Sequence, residues 1–416
     1  MSEELDLVWH VNIMNPDECV KKRKERFESL RAWEPLKLVR RVETMFDIRD
    51  PLFPLCEFLY GLSQELYSEM PPRKNGFESF LHPLNVVLNL KRSGVKDTIT
   101  LLCGLMHDHI EEQVDIYKKE KGLDDKSAEG KVLLDEYEIK LVSKFEKDLY
   151  DFCEKENIDS SAVGKIIETL KLLTRLKRDF YYKSISYIFN CKDLETRERA
   201  IQVKLADRIH NILSIDCFDE RGRLYQCFKN LFIINSAKQF LIENYGVKVF
   251  DWKYSDKSKA TERLFTRCCK ATYEAFLYIC NTSADKGIFD VKAVLQLAFK
   301  KYKLEHAGIW AVTDFEDETH PMRLYQGVIR KWDSRLHYEL DDWKQRIDDE
   351  KKFCVEFFCE YAFDDEKIQA IIDYKDAFSL KEVVAHLLYD HDYVLTSFLS
   401  RQLDKKGRLK VAKINN

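Results

Sequence analysis

Apolar residues recur at spacings of three and four along most of the chain between about residues 51 and 245. That spacing places them on one face of an α-helix, which predicts a set of helices packed through those faces. Gly94 and Gly246 follow two of the patterned segments, at the position where helices commonly end on a glycine. The pattern predicts an all-α fold. Its clearest segments are PLCEFLYGLSQELYSEM, PLNVVLNLKRSG, DTITLLCGLMHDHIEEQ, AVGKIIETLKLLTRL, TRERAIQVKLADRIHNILSI and LYQCFKNLFIINSAKQFLIENYG.

The same pattern divides the chain into three parts. Residues 1–50 form an N-terminal helical segment, in which CVKKRKERFESLRAW is the clearest helix. Residues 51–248 form a first helical domain, and its highly charged stretch at about 115–157 indicates one or two exposed helices around a loop at 121–130. Residues 249–416 form a second helical domain with many aromatic residues. An oligomer interface, a regulatory role or a binding surface for a partner would each suit this second domain.

Composition and charge limit the classes of partner. Hydrophobic residues make up 45% of the chain and charged residues 34%, as in ordinary folded proteins. A net charge of −4 and a pI near 6.3 give no general attraction for nucleic acid. No apolar run approaches the roughly 20 residues that span a bilayer, so we expect no membrane partner. The acidic N-terminus lacks the layout of a signal peptide, and the adjacent Cys268 and Cys269 suit reduced thiols, so we expect a cytoplasmic protein.

Four ionisable residues stand beside strongly apolar stretches and form a candidate metal site. His82 follows FESFL, His107 and Asp108 end TLLCGLM, and Asp207 interrupts IQVKLADRIHNIL. A buried carboxylate needs a cation or strong donors, and two imidazoles with two carboxylates suit a divalent transition ion such as Mn²⁺. Each residue alone also has an ordinary structural explanation, such as a salt bridge between Asp207 and Arg208. The four together favour a metal site.

Two other histidines lie near these positions in the sequence. We expect His109 to lie at the surface, and His210 to lie beside a metal ligand without binding the ion itself.

Helical spacing places further polar groups one turn from these residues. Glu111 lies four residues after His107, and Glu112 four after Asp108, where a carboxylate can orient or deprotonate an attacking water. Asn211 lies one turn after Asp207, and Ser214 a further turn along the same face.

The ordered motifs resemble a known family. The order H…HD…D over His82, His107–Asp108 and Asp207 resembles the HD-domain metal-dependent phosphohydrolases. Four segments are similar to motifs of their RelA/SpoT-type alarmone hydrolase branch: RKNGFESFLHP (73–83), HDHIEE (107–112), LLTRL (172–176) and VKLADRIHNIL (203–213). The resemblance covers roughly residues 55–245 and implies an HD-domain helical bundle.

The resemblance also implies roles for individual residues. One Mn²⁺ would be held by His82, His107, Asp108 and Asp207. Glu111 and Glu112 would serve the attacking water. The implied reaction removes pyrophosphate from the 3′ position of guanosine tetraphosphate or pentaphosphate.

The substrate contacts follow from the same resemblance. Arg73 would pack its guanidinium plane on the nucleobase, and Lys74 would lie near phosphate. Asn211 and Ser214 would face the ribose and its phosphate.

This chain departs from the family pattern at three points. Glu112 stands where the family usually has Asp, and Ser79 stands where a tyrosine is common. The separation between His107 and Asp207 is longer than usual, with the excess in the charged 115–157 stretch.

Two other functions stay open from the sequence. One is an HD phosphohydrolase acting on another nucleotide, as a nucleotidase or a 3′-phosphatase. The other is an HD module that binds a nucleotide and signals through residues 249–416.

Overall fold

The structure is a computed structural model that describes residues 41–174, 181–256, 258–306, 321–325, 327–328, 331 and 340–395. All regular elements in these ranges are helical and none is a strand, which confirms the predicted all-α fold. The predicted helix at 19–33 and part of the LLTRL segment lie outside the described residues. The α-helices are α1 (Val42–Met45), α2 (Phe53–Ser68), α3 (Leu81–Arg92), α4 (Thr98–Met106), α5 (His109–Lys121), α6 (Ala128–Glu156), α7 (Ser161–Leu173), α8 (Tyr181–Asn190), α9 (Leu194–Leu213), α10 (Glu220–Tyr245), α11 (Lys259–Ala284), α12 (Phe289–His306), α13 (Leu340–Phe357) and α14 (Asp365–Tyr389). Short 3₁₀ turns span Ile215–Cys217, Val247–Phe250, Pro321–Leu324 and Cys359–Tyr361.

Side chains at the helix ends fix where several helices begin and end. Asp97, Asp193 and Asp219 precede α4, α9 and α10, and each carboxylate accepts a hydrogen bond from the backbone N–H three residues later. These bonds satisfy amide groups that the helix itself leaves unpaired. Gly94 and Gly246 follow α3 and α10 with φ of 93° and 70°, a conformation that favours glycine. Both predicted helix ends are confirmed.

Helix α9 lies in the middle of the bundle. It packs against α3, α4, α7, α10 and α11, and most of its residues are buried, including polar ones near its C-terminal end. Because water cannot solvate these polar groups, each needs a partner from a neighbouring helix or a bound ligand. The position of α9 therefore determines where a polar site can be built.

One hydrophobic core joins the helices before and after residue 248. The cluster of buried apolar residues runs from Met45 to Leu395. Helix α11 forms the connection, since it packs against α9 and α10 on one side and α14 on the other. Arg267 of α11 also donates to the carbonyl of Asn89 at 3.1 Å and to the hydroxyl of Ser93 at 2.9 Å, near the end of α3.

The charged stretch at 115–157 folds as two helices with a loop between them. Helix α5 ends at Lys121 and α6 begins at Ala128, close to the predicted loop. The exposed surface of α6 is interrupted by a buried stripe that includes Leu134, Phe145 and Leu149. Through that stripe α6 packs against α5 and α7, so the stretch is part of the bundle.

The described cysteines are all free thiols, and most of them are buried. None of the described helices is long and apolar enough to cross a membrane.

Candidate metal centre

Four side chains bring their ligand atoms to one point between α3, α9 and the junction of α4 with α5. The Nε2 atoms of His82 and His107 are 3.1 Å apart. Asp108 Oδ2 lies 3.3 and 3.0 Å from these two nitrogens, and Asp207 Oδ1 lies 3.5 and 3.9 Å from them. His82, His107 and Asp207 are buried, whereas the Asp108 side chain keeps 25% of its surface exposed. The predicted ligand set is therefore brought together, with its accessible side at Asp108.

The spacing of these atoms fits a single divalent cation. Neighbouring ligands at about 2.1 Å from an ion are about 3.0 Å apart in an octahedron and about 3.4 Å apart in a tetrahedron. The two imidazole nitrogens and Asp108 Oδ2 lie within this range of one another, whereas Asp207 Oδ1 lies 3.5 Å from His82 Nε2, close to the range, and 3.9 Å from His107 Nε2, beyond it. Nitrogen and oxygen donors suit Mn²⁺, Fe²⁺, Co²⁺ or Zn²⁺. Among the described residues, His82, His107 and Asp207 form the group whose ligand atoms all lie within 4.8 Å of one another; Asp108 is not part of that group, although its Oδ2 lies close to both imidazoles.

An interruption of the helix at residues 107–108 lets two consecutive side chains, those of His107 and Asp108, face the same point. The sequence predicts one helix through this region, but α4 ends at Met106 and α5 begins at His109. Consecutive side chains on an unbroken helix point about 100° apart. Asp108 leaves helical geometry with φ −103° and ψ −1°, so its carboxylate and the His107 ring face the same point.

Asp207 is stabilised by a cation from its own helix. Lys204 Nζ lies 3.0 Å from Asp207 Oδ2, one turn away on α9. Burial alone would raise the pKa of the Asp207 carboxyl, but Lys204 and His107 outweigh it and hold that pKa below its usual range. Arg208 is not the partner, because its Nε donates to Asn230 at 2.6 Å. The sequence interpretation missed Lys204, although its i, i+3 spacing to Asp207 was a usable signal.

The two candidate imidazole ligands differ in their protonation. Burial and the positive charge of Arg73 lower the pKa of His82 to about 4, so this ring is neutral at pH 7. Burial also opposes a charge on His107, but Asp108 and Asp207 outweigh it and raise the pKa of His107 above its usual value. An ion must therefore displace a proton from His107 more often than from His82, and its affinity should rise with pH.

A second histidine determines which nitrogen of His82 carries its proton. The Nδ1 atoms of His82 and His210 are 2.8 Å apart, and Nε2 of His210 lies 3.3 Å from the amide of Asn85. For His82 to bind an ion through Nε2, its Nδ1–H must donate to His210, which then carries its own proton on Nε2. That proton needs an acceptor, and the Asn85 oxygen, which is buried without a hydrogen bond, supplies one if the amide is rotated by 180°. His210 thus lies beside His82, a candidate metal ligand.

The prediction that His109 lies at the surface is wrong. Its side chain is buried, with its ring 5.5 Å from that of Phe145 and its Nε2 2.7 Å from the Gln113 amide. His109 is the first residue of α5, and that helix packs against α6, which carries Phe145. The break after Asp108 turns this residue inward.

Arg73 and Asn211 meet at the rim of the centre. Arg73 Nη2 donates to Asn211 Oδ1 at 2.9 Å, and the Asn211 amide donates in turn to Asp207 Oδ1. A turn positions Arg73, since the Gly76 N–H donates to the Arg73 carbonyl at 2.8 Å and Gly76 has a φ of 77°. Arg73, the residue predicted to bind the base, is therefore connected through Asn211 to Asp207, a candidate metal ligand.

The other two predicted substrate residues lie beside the same loop. Ser214 is buried at the end of α9, and its hydroxyl accepts a hydrogen bond from the Asn75 amide at 3.4 Å. Lys74 is exposed, with its ammonium 4.6 Å from the centre of the Phe218 ring. Ser79, at the position where the resembled family commonly has a tyrosine, donates its hydroxyl proton to the Pro71 carbonyl at 2.6 Å.

Glu112 lies one helical turn from Asp108, as predicted. Its backbone N–H donates to the Asp108 carbonyl at 2.9 Å. The side chain is half-buried, and burial together with the charge of Asp108 raises the pKa of Glu112 to about 7. Glu111, on the same first turn of α5, adds to this effect through its own negative charge.

No protein-family model, curated protein or solved structure matches the chain. The interpretation of the centre depends on its own residues and their geometry.

Replacing Asp207 with Ala should remove the ion and destabilise the fold. The change deletes a ligand and leaves the Lys204 ammonium buried without its carboxylate, which costs about 3–5 kcal/mol in comparable buried pairs. Elemental analysis and thermal unfolding measure the two effects. Glu195→Ala, which removes an exposed carboxylate from the same helix, should keep the metal. Full metal content in Asp207→Ala would contradict the proposed ligand set.

Replacing His210 with Ala should weaken metal binding without removing a ligand. The His82 ring loses the partner that fixes its proton on Nδ1, so we expect the dissociation constant of the ion to rise by about 10- to 100-fold. Metal titration against a competing chelator measures this constant. His109→Phe changes an equally buried histidine that contacts neither candidate imidazole ligand and should leave the constant nearly unchanged. Equal effects of the two substitutions would argue against the hydrogen-bond chain from Asn85 to His82.

Proposed function

We propose that this chain is a Mn²⁺-dependent phosphohydrolase that removes pyrophosphate from the 3′ position of guanosine tetraphosphate and pentaphosphate. The observation that carries the proposal is that His82 and His107 bring their Nε2 atoms within 3.1 Å of each other, and that oxygens of both Asp108 and Asp207 lie 3.0–3.9 Å from these nitrogens. Buried structural polar groups normally satisfy one another with donors and acceptors in pairs. Here two carboxylates and two imidazoles all direct acceptor atoms at one point, which is the arrangement that a cation requires.

Hydrolysis needs an activated water and stabilised phosphoryl oxygens. A divalent ion held by these four ligands supplies both, because it polarises a phosphoryl oxygen and lowers the pKa of water. Glu112 would accept a proton from the attacking water while the oxygen of that water bonds to phosphorus. The bond from phosphorus to the 3′ oxygen would break, and the 3′ oxygen would take up a proton from solvent to give the ribose hydroxyl and free pyrophosphate. A carboxylate with a pKa of about 7 suits this role, since a general base works best when its pKa is near the working pH.

The rim residues support a nucleotide as the substrate. Asn211 binds one edge of the Arg73 guanidinium and also a metal ligand, so the position of Arg73 is fixed relative to the reacting centre. A planar guanidinium can stack on a purine while its edge donates hydrogen bonds. The Ser214 hydroxyl, next to Asn75, and the exposed ammonium of Lys74 would contact the ribose and its phosphates.

A panel of purified nucleotides with Mn²⁺, resolved by chromatography of the products, tests the proposal. We expect guanosine tetraphosphate to give guanosine diphosphate and pyrophosphate. Hydrolysis of another nucleotide alone would assign the chain to the broader HD phosphohydrolases. Tight nucleotide binding with no hydrolysis by the metal-loaded protein would instead favour the signalling module.

Glu112→Gln should separate catalysis from binding. The amide keeps the shape but cannot accept the proton, so turnover should fall by at least the ~10²-fold typical of losing a general base, with the metal retained. In the wild type, protonation of Glu112 removes the base, so the rate should fall as the pH drops below about 7. A bound cation lowers the pKa of a nearby carboxyl group, so with the metal present the fall in rate should occur at the same or a lower pH. Rates and metal content measured from pH 5 to 9 check both points. An unchanged rate in Glu112→Gln would place the proton acceptor elsewhere.

Arg73→Lys should weaken nucleotide binding while leaving metal content unchanged. Lysine keeps the charge but loses the planar face and the fork that donates to Asn211. The loss should fall mainly in KM, because stacking on the base is nearly equal in the ground and transition states. Steady-state kinetics on guanosine tetraphosphate and on a small phosphate ester without a base provide the comparison. Equal losses on both substrates would reject Arg73 as the surface that binds the base.

A further inference from the structure

The hydroxyl of Tyr67 is buried without a hydrogen-bond partner. Tyr67 lies in the last turn of α2 with 4% of its surface exposed, and its Oη forms no hydrogen bond with the described part of the chain. Most buried polar atoms in folded proteins have a partner, and the exceptions need an explanation. A ligand that supplies the missing acceptor is one such explanation.

The position of Tyr67 points to the metal centre as the place of that ligand. Helix α2 packs against α4 and α5, the two helices that meet at His107 and Asp108. The Tyr67 ring lies 6.3 Å from the ring of Phe80, two residues before His82. The charged groups that act on the phenol are Asp108, Glu112, Arg73 and Asp207, all of which belong to the centre or its rim.

The hydroxyl keeps its proton and can therefore donate to an added acceptor. Burial, followed by the negative charges of Asp108 and Glu112, raises the pKa of the Tyr67 phenol well above its usual value, so the proton stays on the oxygen. Both carboxylates are acceptors, yet neither is bonded to Oη. The hydroxyl proton is thus available to an anionic group that enters among these residues.

We propose that Tyr67 donates a hydrogen bond to a phosphoryl oxygen of the substrate at the metal centre. The inference rests on the proposed phosphohydrolase function and adds a substrate-binding residue that comes from α2, outside the motifs of the sequence. A phosphoryl group carries several acceptor oxygens and no donor at neutral pH. These oxygens would have three partners: a divalent ion, the guanidinium of Arg73 and the hydroxyl of Tyr67.

Tyr67→Phe, compared with Tyr60→Phe, tests the proposal on the full-length Mn²⁺-loaded protein. Tyr60 is a second buried tyrosine on α2, two turns earlier, and its ring also contacts that of Phe80. Calorimetric titration with inorganic phosphate and with pyrophosphate gives the affinity for the anion. We expect Tyr67→Phe to weaken both by roughly 10- to 100-fold, as for the loss of a hydrogen bond to a charged group. Metal content should stay unchanged, and Tyr60→Phe should bind both anions as the wild type does.

Thermal unfolding in the absence of phosphate separates this role from a structural one. Removing a hydroxyl that has no partner in the protein should leave the melting temperature unchanged or raise it, whereas loss of a structural hydrogen bond lowers it. Wild-type anion affinity in Tyr67→Phe, loss of its metal, or a lowered melting temperature would each overturn the assignment. Failure of the wild type to hydrolyse any nucleotide, with anion binding still dependent on Tyr67, would reject the hydrolase function and leave the phosphate contact standing.

Discussion

Asp207 carries its negative charge in the middle of the bundle, where water cannot solvate it, and this charge constrains the residues around it. Lys204 and the Asn211 amide bind the carboxylate from the same helix, yet Oδ1 still faces two imidazole nitrogens. Lys204 alone does not balance both Asp207 and the neighbouring Asp108, and without a metal these two acids raise the pKa of His107, so that its ring can carry the second positive charge. A divalent cation at the point where the four side chains meet would balance the two acids and give each imidazole lone pair a partner.

Hydrogen bonds between side chains of α3, α9 and α11 fix the relative positions of the two helices that carry His82 and Asp207. Arg267 of α11 donates to the Asn89 side chain on α3 at 2.9 Å, and the Asn89 amide lies 3.5 Å from the carbonyl of Ala206, the residue before Asp207. Gln202 of α9 donates to the Thr261 hydroxyl of α11 at 2.9 Å. The helix that follows the predicted boundary at residue 248 therefore supports the spacing between His82 and Asp207.

The sequence was sufficient for the fold class and for which residues meet, because both depend on spacing along helices. Apolar periodicity predicted the bundle, and residues one turn apart, such as Asp207 and Asn211, do lie together. It was not sufficient for the interruption of the helix at residues 107–108, since the apolar pattern continues through these positions. That single change of direction brought His109 inward and gave Asp108 its position.

The sequence also could not predict which residues from other helices lie near the candidate centre. Asn85 and Tyr67 contribute one hydrogen-bonding group each, and no local pattern distinguishes either from an ordinary polar residue on an apolar helix. Their roles depend on the distance from His210 in one case and on the lack of an acceptor in the other. Both become visible only when all donors and acceptors in the interior are accounted for together.

Glu112 stands where the resembled family usually has Asp, and the effects on the pKa of Glu112 show what its environment does to this carboxyl group. Glu112 lies in the first turn of α5, where the helix dipole favours a negative charge by about 0.3–1 kcal/mol. Burial and the adjacent charges of Asp108, Asp115 and Glu111 act in the opposite direction and prevail, since the pKa is raised to about 7. An ionised acid of this kind is more basic than an ordinary carboxylate and still releases its proton near neutral pH. The longer side chain therefore keeps the property that a general base needs, and what it changes is the reach of its oxygens by one methylene.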